Sequence, residues 1–213
     1  MKPKFVSVVG ARPEFVQATM LSRDIRKVAS EVLLHTGQHY DTMMSDVFFS
    51  DLNIPVPDYN LEVGSGERPV RTAQIIERSA MIFADEKPDA VIVRGDTDST
   101  VACAIAASEM HIPVVHIEAG CRSYDRGMPE ELNRIVVDHL SDRLFCIAES
   151  QIANLEGEGI TEGVYFSGDP MLDSALEYSN DQSRAEALLS AMKIRKGDRR
   201  FWLTVAATPS ALF

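Results

Sequence analysis

Residues 114–134 read "VVHIEAGCRSYDRGMPEELNR" and contain a short apolar run, a glycine turn and the start of a helix. The run "VVHI" is typical of a buried strand, whereas Pro129 is typical of the first turn of a helix. Glu118 follows the strand directly, and Glu130 and Glu131 lie in the predicted first turn of the helix. The stretch therefore predicts a strand–loop–helix unit with acids at both ends of its loop.

The same unit recurs along the chain. Apolar runs bounded by turn residues alternate with segments of helical spacing, such as "PEFVQATMLSRDIRKVAS". The runs read "KFVSVVG", "EVLLHTG", "DAVIVRGD", "IPVVHIEAG" and "DRLFCIAE", and "GVYFSGDP" is a further predicted strand. Continuous apolar strands separated by helices are typical of a parallel sheet covered on both faces. We therefore predict a Rossmann-like α/β fold with helices on both faces of the sheet.

Composition narrows the class of function. The chain has 213 residues and a net charge of −11, which argues against a nucleic-acid surface because such surfaces are basic. Its three cysteines are widely spaced without a CxxC pair, so neither a disulfide framework nor a metal site is predicted. The apolar runs are too short for a membrane span or a signal peptide. We expect a cytoplasmic protein.

The predicted strand ends locate a site. In open parallel sheets, ligands bind beyond the carboxyl ends of the strands. The polar residues at these ends are Arg12 and Glu14, Thr36 to His39, Arg94 to Asp98, His116 to Arg122, and Ser167 to Asp169. We expect these side chains to meet at one edge of the sheet.

The first two loops carry general rather than specific signals. In "GARPE", Gly10 is predicted to permit a tight turn. Arg12 could bind a phosphate group near the start of the following helix, or it could be a solvated turn residue. His39 in "TGQHYD" is a lone histidine, which is more often a surface residue than a catalyst. The chain lacks G-x-G-x-x-G, which disfavours a nicotinamide dinucleotide, and no cofactor is predicted.

The later loops carry an excess of acids. In "RGDTDST", a helix cap is predicted at Asp98, Ser99 or Thr100, which leaves Asp96 unexplained. Burial would raise the pKa of Glu118 and Arg122 would lower it, and the sequence leaves both outcomes open. Several carboxylates in one pocket are what proton abstraction and donation at neutral pH require.

The motifs "GARPE", "TGQH", "RGDTDST", "HIEAGCRS", "MPEELNR" and "SGDPMLD" occur in the order found in the non-hydrolysing UDP-N-acetylglucosamine 2-epimerases, and the chain resembles that family over most of residues 1–178. The resemblance implies the N-terminal half of a GT-B-type two-lobe fold. It divides the chain into an N-terminal Rossmann-like lobe (1–178), a helix and linker (179–200) and the truncated start of a C-terminal lobe (201–213).

The resemblance also implies an activity. Family members interconvert UDP-GlcNAc and UDP-ManNAc by eliminating and re-adding UDP, feed polysaccharide synthesis and are usually homodimers. By the matching motifs, the implied catalytic residues are Asp96, Glu118 and Glu130. The implied substrate-binding residues are Arg12, Gln38, His39 and Arg134, of which Gln38 and His39 also match an allosteric UDP-GlcNAc site in bacterial members.

Two departures from the family pattern stand out. Gln17 occupies a position where the family often has a lysine, and Ala206 stands where the resemblance expects a catalytic histidine. We therefore expect these 213 residues alone to have little or no activity. The alternatives are a non-catalytic lobe acting as a binding or dimerisation module, a hydrolysing 2-epimerase relative and, more remotely, a fragment of a GT-B glycosyltransferase.

Overall fold

A computed structural model describes residues 2–37, 55–64 and 66–179. The strands are β1 (Lys4–Val9), β2 (Ser30–His35), β3 (Tyr59–Asn60), β4 (Ala90–Arg94), β5 (Val114–Ile117), β6 (Arg143–Cys146) and β7 (Val164–Phe166). The helices are α1 (Arg12–Val28), α2 (Arg68–Glu86), α3 (Asp98–Glu109), α4 (Pro129–Leu140), α5 (Glu149–Gly157) and α6 (Pro170–Ser179). Apart from Ser179, the predicted helix and linker (179–200) and the segment from 201 onward, with Ala206, lie outside the described residues.

The seven described strands form one sheet in the order β3-β2-β1-β4-β5-β6-β7. All six neighbouring pairs are parallel. Every carboxyl end therefore points to the same edge, which we call the carboxyl edge. The predicted α/β fold with a parallel sheet and alternating helices is confirmed.

The larger core lies on the face of the sheet covered by α2, α3 and α4. Val6 and Val8 of β1 and Val91 and Val93 of β4 are buried there, because alternate side chains of a strand share a face. Helix α3 is buried on nearly all sides, which explains why its residues are apolar or small throughout rather than amphipathic. This helix sits centrally between α2 and α4.

The opposite face carries α1 over a smaller cluster of Val9, Phe15, Ala18 and Leu33. A cavity of about 610 Å³ lies on this face beside α1. Its lining is mainly aliphatic and aromatic and includes Met20, Ile25, Ile92, Val115, Ile117, Phe145 and Tyr165. Neither Asp96 nor Glu118 lines this cavity, so it is not the site predicted from the strand ends.

Gly10 shows how tightly the carboxyl edge is packed. A Cβ atom at position 10 would overlap the hydroxyl groups of Ser99 and Thr36, which lie 2.7 Å from each other. The backbone of Gly10 is not in the left-handed region. The close approach of α3 therefore requires glycine here, and the prediction that Gly10 permits a tight turn stays a prediction.

Residues up to Ala175 form one compact unit. The carboxyl edge and every acid discussed below belong to this unit. Within the described parts of the chain, no helix combines the length and apolarity needed to cross a bilayer.

Candidate active site

Three acids follow three different strands at the carboxyl edge. Asp96 lies in the turn after β4, Glu118 directly after β5, and Asp169 in the turn after β7. Glu118 has a left-handed backbone with φ of 72°, which is uncommon for a residue with a side chain. The strand ends thus converge as the topology predicts.

The surroundings of Glu118 act on its pKa in both directions. Burial raises its pKa, and the like charges of Asp96 and Asp169 raise it further, whereas a hydrogen bond from Gln17 and the charge of His116 lower it. The net direction is upward. A raised pKa brings a carboxyl group closer to the range in which it can give and take a proton at neutral pH.

The arginine considered from the sequence does not act on Glu118. The guanidinium of Arg122 donates to Asp138 Oδ2 at 2.7 Å and to Glu158 Oε1 and Oε2 at 2.6 and 2.7 Å. Its positive charge is therefore committed elsewhere, and burial decides the pKa of Glu118.

Asp96 is paired with Arg134 of α4. Its Oδ2 accepts a hydrogen bond of 2.8 Å from Arg134 Nε, and its backbone carbonyl accepts one of 2.7 Å from Asn133 Nδ2. Helix α4 thereby fixes the turn after β4 as well as the carboxylate in it. Two of the predicted site residues, Asp96 and Arg134, are in direct contact.

Cys121 links this pair to Glu118. Burial raises the pKa of its thiol, the charges of Glu118 and Asp96 raise it further, and the charge of Arg134 lowers it. Its Sγ accepts a hydrogen bond of 2.8 Å from Gln151 Nε2. Asp96, Glu118 and Arg134 thus surround one small region, which we call the acid cluster, and their roles in it stay predictions.

The two glutamates at the start of α4 have different surroundings. Glu131 is buried and accepts hydrogen bonds from the backbone N–H groups of Ser123 and Tyr124 at 2.8 and 3.0 Å. Burial favours a higher pKa for Glu131, but these donors and Arg134 outweigh it and lower the pKa. Glu130 is exposed, one turn before Arg134 on the same helix. Glu131 therefore holds the loop, and Glu130 stays the predicted catalytic residue of the two.

The cap of α3 differs from the prediction. Thr97, rather than Asp98, Ser99 or Thr100, is the capping residue, and its hydroxyl accepts from the backbone N–H of Thr100. Asp98 is instead buried between Arg68 and Arg71 of α2, which both donate to its carboxylate. A threonine hydroxyl can accept a hydrogen bond from the first turn of a helix as well as an aspartate can. The carboxylate of Asp98 is therefore available to pair with the two arginines.

Arg68 and Arg71 were missed from the sequence. Arg68 also donates to Asn133 Oδ1 at 2.9 Å, so the first turn of α2 reaches α4 beside the acid cluster. The sequence signal was the pattern "RPVR" at the start of a helix. Cations at this end interact unfavourably with the helix dipole, so two arginines there indicate an acidic partner elsewhere in the fold.

Glu14 joins the first and fourth strand ends. It is buried, and its carboxylate accepts from the backbone N–H groups of Gly10 and Ala11 and from the hydroxyl of Thr97 at 2.7 Å. Burial raises its pKa despite these hydrogen bonds, which lower it. All these partners belong to the protein, so Glu14 acts as a clamp within the fold.

Arg12 is the first residue of α1 and its side chain is exposed. Gln38 and His39 lie outside the described residues. Among the residues that the structure describes, no group of three or more metal-ligating side chains is found.

A charged network lies beneath the acid cluster. His116 is fully buried; its Nε2 lies 2.9 Å from the carbonyl oxygen of Gly95 and its Nδ1 lies 2.7 Å from Asp138 Oδ1. A carbonyl oxygen can only accept, so Nε2 carries a proton, and Nδ1 faces the carboxylate of Asp138. Asp138 Oδ2 also accepts from Gly120 N and Arg122. This network fixes the strand end that carries Glu118.

Comparison with known proteins bears on all these residues. The model of the family described as UDP-N-acetylglucosamine 2-epimerase matches residues 23–206. A UDP-N-acetylglucosamine 2-epimerase homolog from Methanococcus maripaludis is 47% identical over 173 residues, which cover 81% of this chain and 48% of the relative. The UDP-2,3-diacetamido-2,3-dideoxy-D-glucuronate 2-epimerase of Pseudomonas aeruginosa is 44% identical over 181 residues, covering 83% and 51%.

A solved structure agrees with these matches. The crystal structure of Methanocaldococcus jannaschii UDP-GlcNAc 2-epimerase in complex with UDP-GlcNAc and UDP superposes with a TM-score of 0.81 at 38% identity. The superposition covers 86% of this chain and 52% of that chain. The chain therefore spans about half the length of the relatives that it matches.

Proposed function

The chain belongs to the UDP-N-acetylglucosamine 2-epimerase family, and from this premise we propose that the protein interconverts UDP-GlcNAc and UDP-ManNAc by elimination and re-addition of UDP. The observation that supports this proposal best is the acid cluster. Glu118 lies on a rigid strand end with a raised pKa, and Asp96 lies near it, held by Arg134.

The chemistry explains why several acids are needed. No carbonyl group stands next to C2 of the sugar, so its hydrogen is not acidic in the substrate. As the bond from C1 to the UDP oxygen breaks, positive charge develops at C1 and the C2 hydrogen becomes acidic. A carboxylate takes that proton, which leaves a C1–C2 double bond and free UDP. Return of a proton to the opposite face of C2 and re-addition of UDP give the other epimer.

We assign roles on this basis. Glu118 exchanges the C2 proton, because its raised pKa suits both removal and return. Asp96 and Glu130 supply the remaining acid and base functions. Arg12, at the start of α1, holds a phosphate group, and Arg134 acts chiefly through its hold on Asp96. Gln38 and His39 stay predicted substrate-binding residues outside the described part of the chain.

The chain matches only about half the length of its relatives, and this lowers the activity expected of it. The relatives are about twice as long as the matched region, and we propose that these 213 residues alone show little or no turnover. Incubation of the purified chain with UDP-GlcNAc, followed by NMR, tests this directly. Rapid formation of UDP-ManNAc would contradict it.

The function itself is tested in a hybrid in which residues 1–178 precede the second half of the Methanocaldococcus jannaschii enzyme. In D₂O we expect deuterium at C2 and formation of the second epimer. Glu118→Gln should slow both by about 10²–10⁴-fold, since a positioned proton-transfer group is lost. Glu77→Gln, an exposed change on α2, is the matched control. A folded hybrid that binds UDP without exchanging the C2 hydrogen would refute the function.

A second sugar is favoured by one observation. The Pseudomonas aeruginosa relative, named for UDP-2,3-diacetamido-2,3-dideoxy-D-glucuronate, is 44% identical to this chain, between the Methanococcus maripaludis UDP-GlcNAc 2-epimerase homolog at 47% and the Methanocaldococcus jannaschii UDP-GlcNAc enzyme at 40%. Assaying both sugars with the same hybrid separates the two. Release of UDP with a free sugar would indicate the hydrolysing reaction, and binding without any exchange would indicate a non-catalytic module.

We also propose a homodimer formed through α4. Leu132 and Val136 of this helix, with Met128 just before its start, are spaced four residues apart and leave about 40% of their surface exposed (41%, 39% and 39%). In sedimentation, Leu132→Glu should convert a dimer into a monomer. Val28→Glu, at an exposed apolar position on α1, should leave the dimer intact. A monomeric wild-type chain would contradict the proposal.

A further inference from the structure

Gln17 makes the closest contact to Glu118 from α1. Its Nε2 lies 2.6 Å from Glu118 Oε2, although the two residues are 101 positions apart in the chain. Gln17 is only 1% exposed, so no bulk water competes for this contact. The partner of Glu118 on this side is therefore a buried, neutral amide.

The other end of the same amide is unoccupied. Among the described residues, Oε1 of Gln17 has no hydrogen-bond partner. No second hydrogen bond therefore fixes the amide in one orientation. A half-turn about its last side-chain bond would place Oε1 where Nε2 now lies, with the same number of hydrogen bonds to Glu118.

Glu131 shows the contrasting arrangement. Its partners are the backbone N–H groups of Ser123 and Tyr124 and the guanidinium of Arg134, which can only donate, and the Ser123 hydroxyl, which donates to it as well. Such surroundings favour the ionised carboxylate alone. Glu118 instead faces a group that can donate or accept.

We infer that Gln17 is a positioning residue that hydrogen-bonds Glu118 in both of its protonation states. Nε2 donates to the carboxylate, and after a half-turn of the amide Oε1 accepts from the carboxylic acid. Glu118 then keeps its position while it gains and loses a proton. The use of this device in epimerisation rests on the proposed function, whereas the device itself does not.

The other charges near Glu118 belong to three elements. Asp96 follows β4, Asp169 follows β7 and His116 lies on β5; the first two raise the pKa of Glu118 and His116 lowers it. These groups are unchanged by substitutions at position 17. A change in the titration of Glu118 in such variants is therefore attributable to position 17 itself.

The test follows the ¹³C carboxyl resonance of Glu118 in the 213-residue chain, assigned by its absence in Glu118→Gln. Gln17→Lys can only donate and should lower the titration midpoint of Glu118 by about one pH unit or more. Gln17→Glu should raise it by a similar amount, because a second carboxyl group disfavours the charge. Gln17→Met, which neither donates nor accepts, should lie nearer to wild type than either.

Two outcomes would overturn the inference. An unchanged midpoint in Gln17→Lys would mean that the contact does not act on Glu118. A midpoint in Gln17→Met as high as that in Gln17→Glu would make Gln17 a donor to the carboxylate only. Neither outcome depends on epimerase activity. A failure of the proposed function would be detected separately, in the assay of the hybrid enzyme.

A measurement on the wild-type chain removes dependence on buried substitutions. The side-chain amide protons of Gln17 should shift with the same midpoint as the Glu118 carboxyl carbon. The amide of Gln151 is the control, because both of its ends are bound, to Cys121 Sγ and to the backbone N–H of Ile147. Gln17 amide resonances that ignore the titration of Glu118 would refute the inference.

Discussion

Asp138 holds the charged network beneath the acid cluster, and Asp138→Asn tests its strength. Its two carboxylate oxygens accept from His116, Gly120 and Arg122, all of which are buried at that point. Asparagine has nearly the same size but only one accepting atom. The substitution leaves part of this donor set facing an N–H₂ group, and Arg122 loses one of its two carboxylate partners.

The magnitude follows from this arrangement. Removing one partner of a buried ion pair costs about 3–5 kcal/mol, and the lower end of that range applies here because Glu158 still pairs with Arg122. We expect Asp138→Asn to lower the free energy of unfolding at pH 7 by about that amount. This loss is a large share of the roughly 5–15 kcal/mol that stabilises a typical domain.

Urea unfolding of the 213-residue chain, followed by circular dichroism, measures this loss. Asp142→Asn is the matched control, because Asp142 is exposed and accepts a single hydrogen bond from Val114 N at 2.9 Å. We expect that control to cost about 1 kcal/mol or less. A loss for Asp138→Asn no larger than that of the control would refute the charged network.

The same comparison has a defined pH dependence. Burial would raise the pKa of Asp138, but His116 and Arg122 outweigh it and hold the pKa below its ordinary value of 3.8. A carboxyl group with a lowered pKa in the folded state adds stability above its unfolded pKa and loses it as the pH falls through the folded value. The part of the stability difference that comes from the Asp138 carboxylate should therefore shrink as the pH falls below 3.8.

Two further predictions concern packing and the loop before α4. Gly10→Ala should destabilise the chain by about 1–3 kcal/mol in the same urea assay, because a Cβ atom would overlap Ser99 and Thr36, whereas Gly66→Ala, with open space around it, should change little. Glu131→Gln should cost about 1–3 kcal/mol, because its single accepting oxygen cannot serve both backbone N–H groups, while Glu130→Gln at an exposed position should cost less than about 0.5 kcal/mol. Equal losses within either pair would contradict the burial on which that prediction rests.

The fold was predictable because its signals are local. Each buried strand is a continuous apolar run, and each helix has its own period and starting residues, so neighbours in sequence carry the information. The rule for ligand sites in parallel sheets then placed Asp96 and Glu118 at one edge without knowledge of the strand order.

The partners of these acids were not predictable in the same way. The contact between Gln17 and Glu118 depends on α1 reaching the residue that follows β5, and the pairing of Asp98 with Arg68 depends on α2 lying beside α3. Both require the packing of elements that are far apart in sequence. Thr97 was overlooked as the cap of α3 because three other residues nearby can cap a helix equally well.

The left-handed backbone at Glu118 has a consequence for protein engineering. A residue with a Cβ atom in this conformation costs about 1–2 kcal/mol relative to glycine, which adopts it freely. Automated redesign that rewards stability alone would therefore favour glycine at position 118 and erase the acid there. Any thermostable version of this protein should be selected with Glu118 held constant.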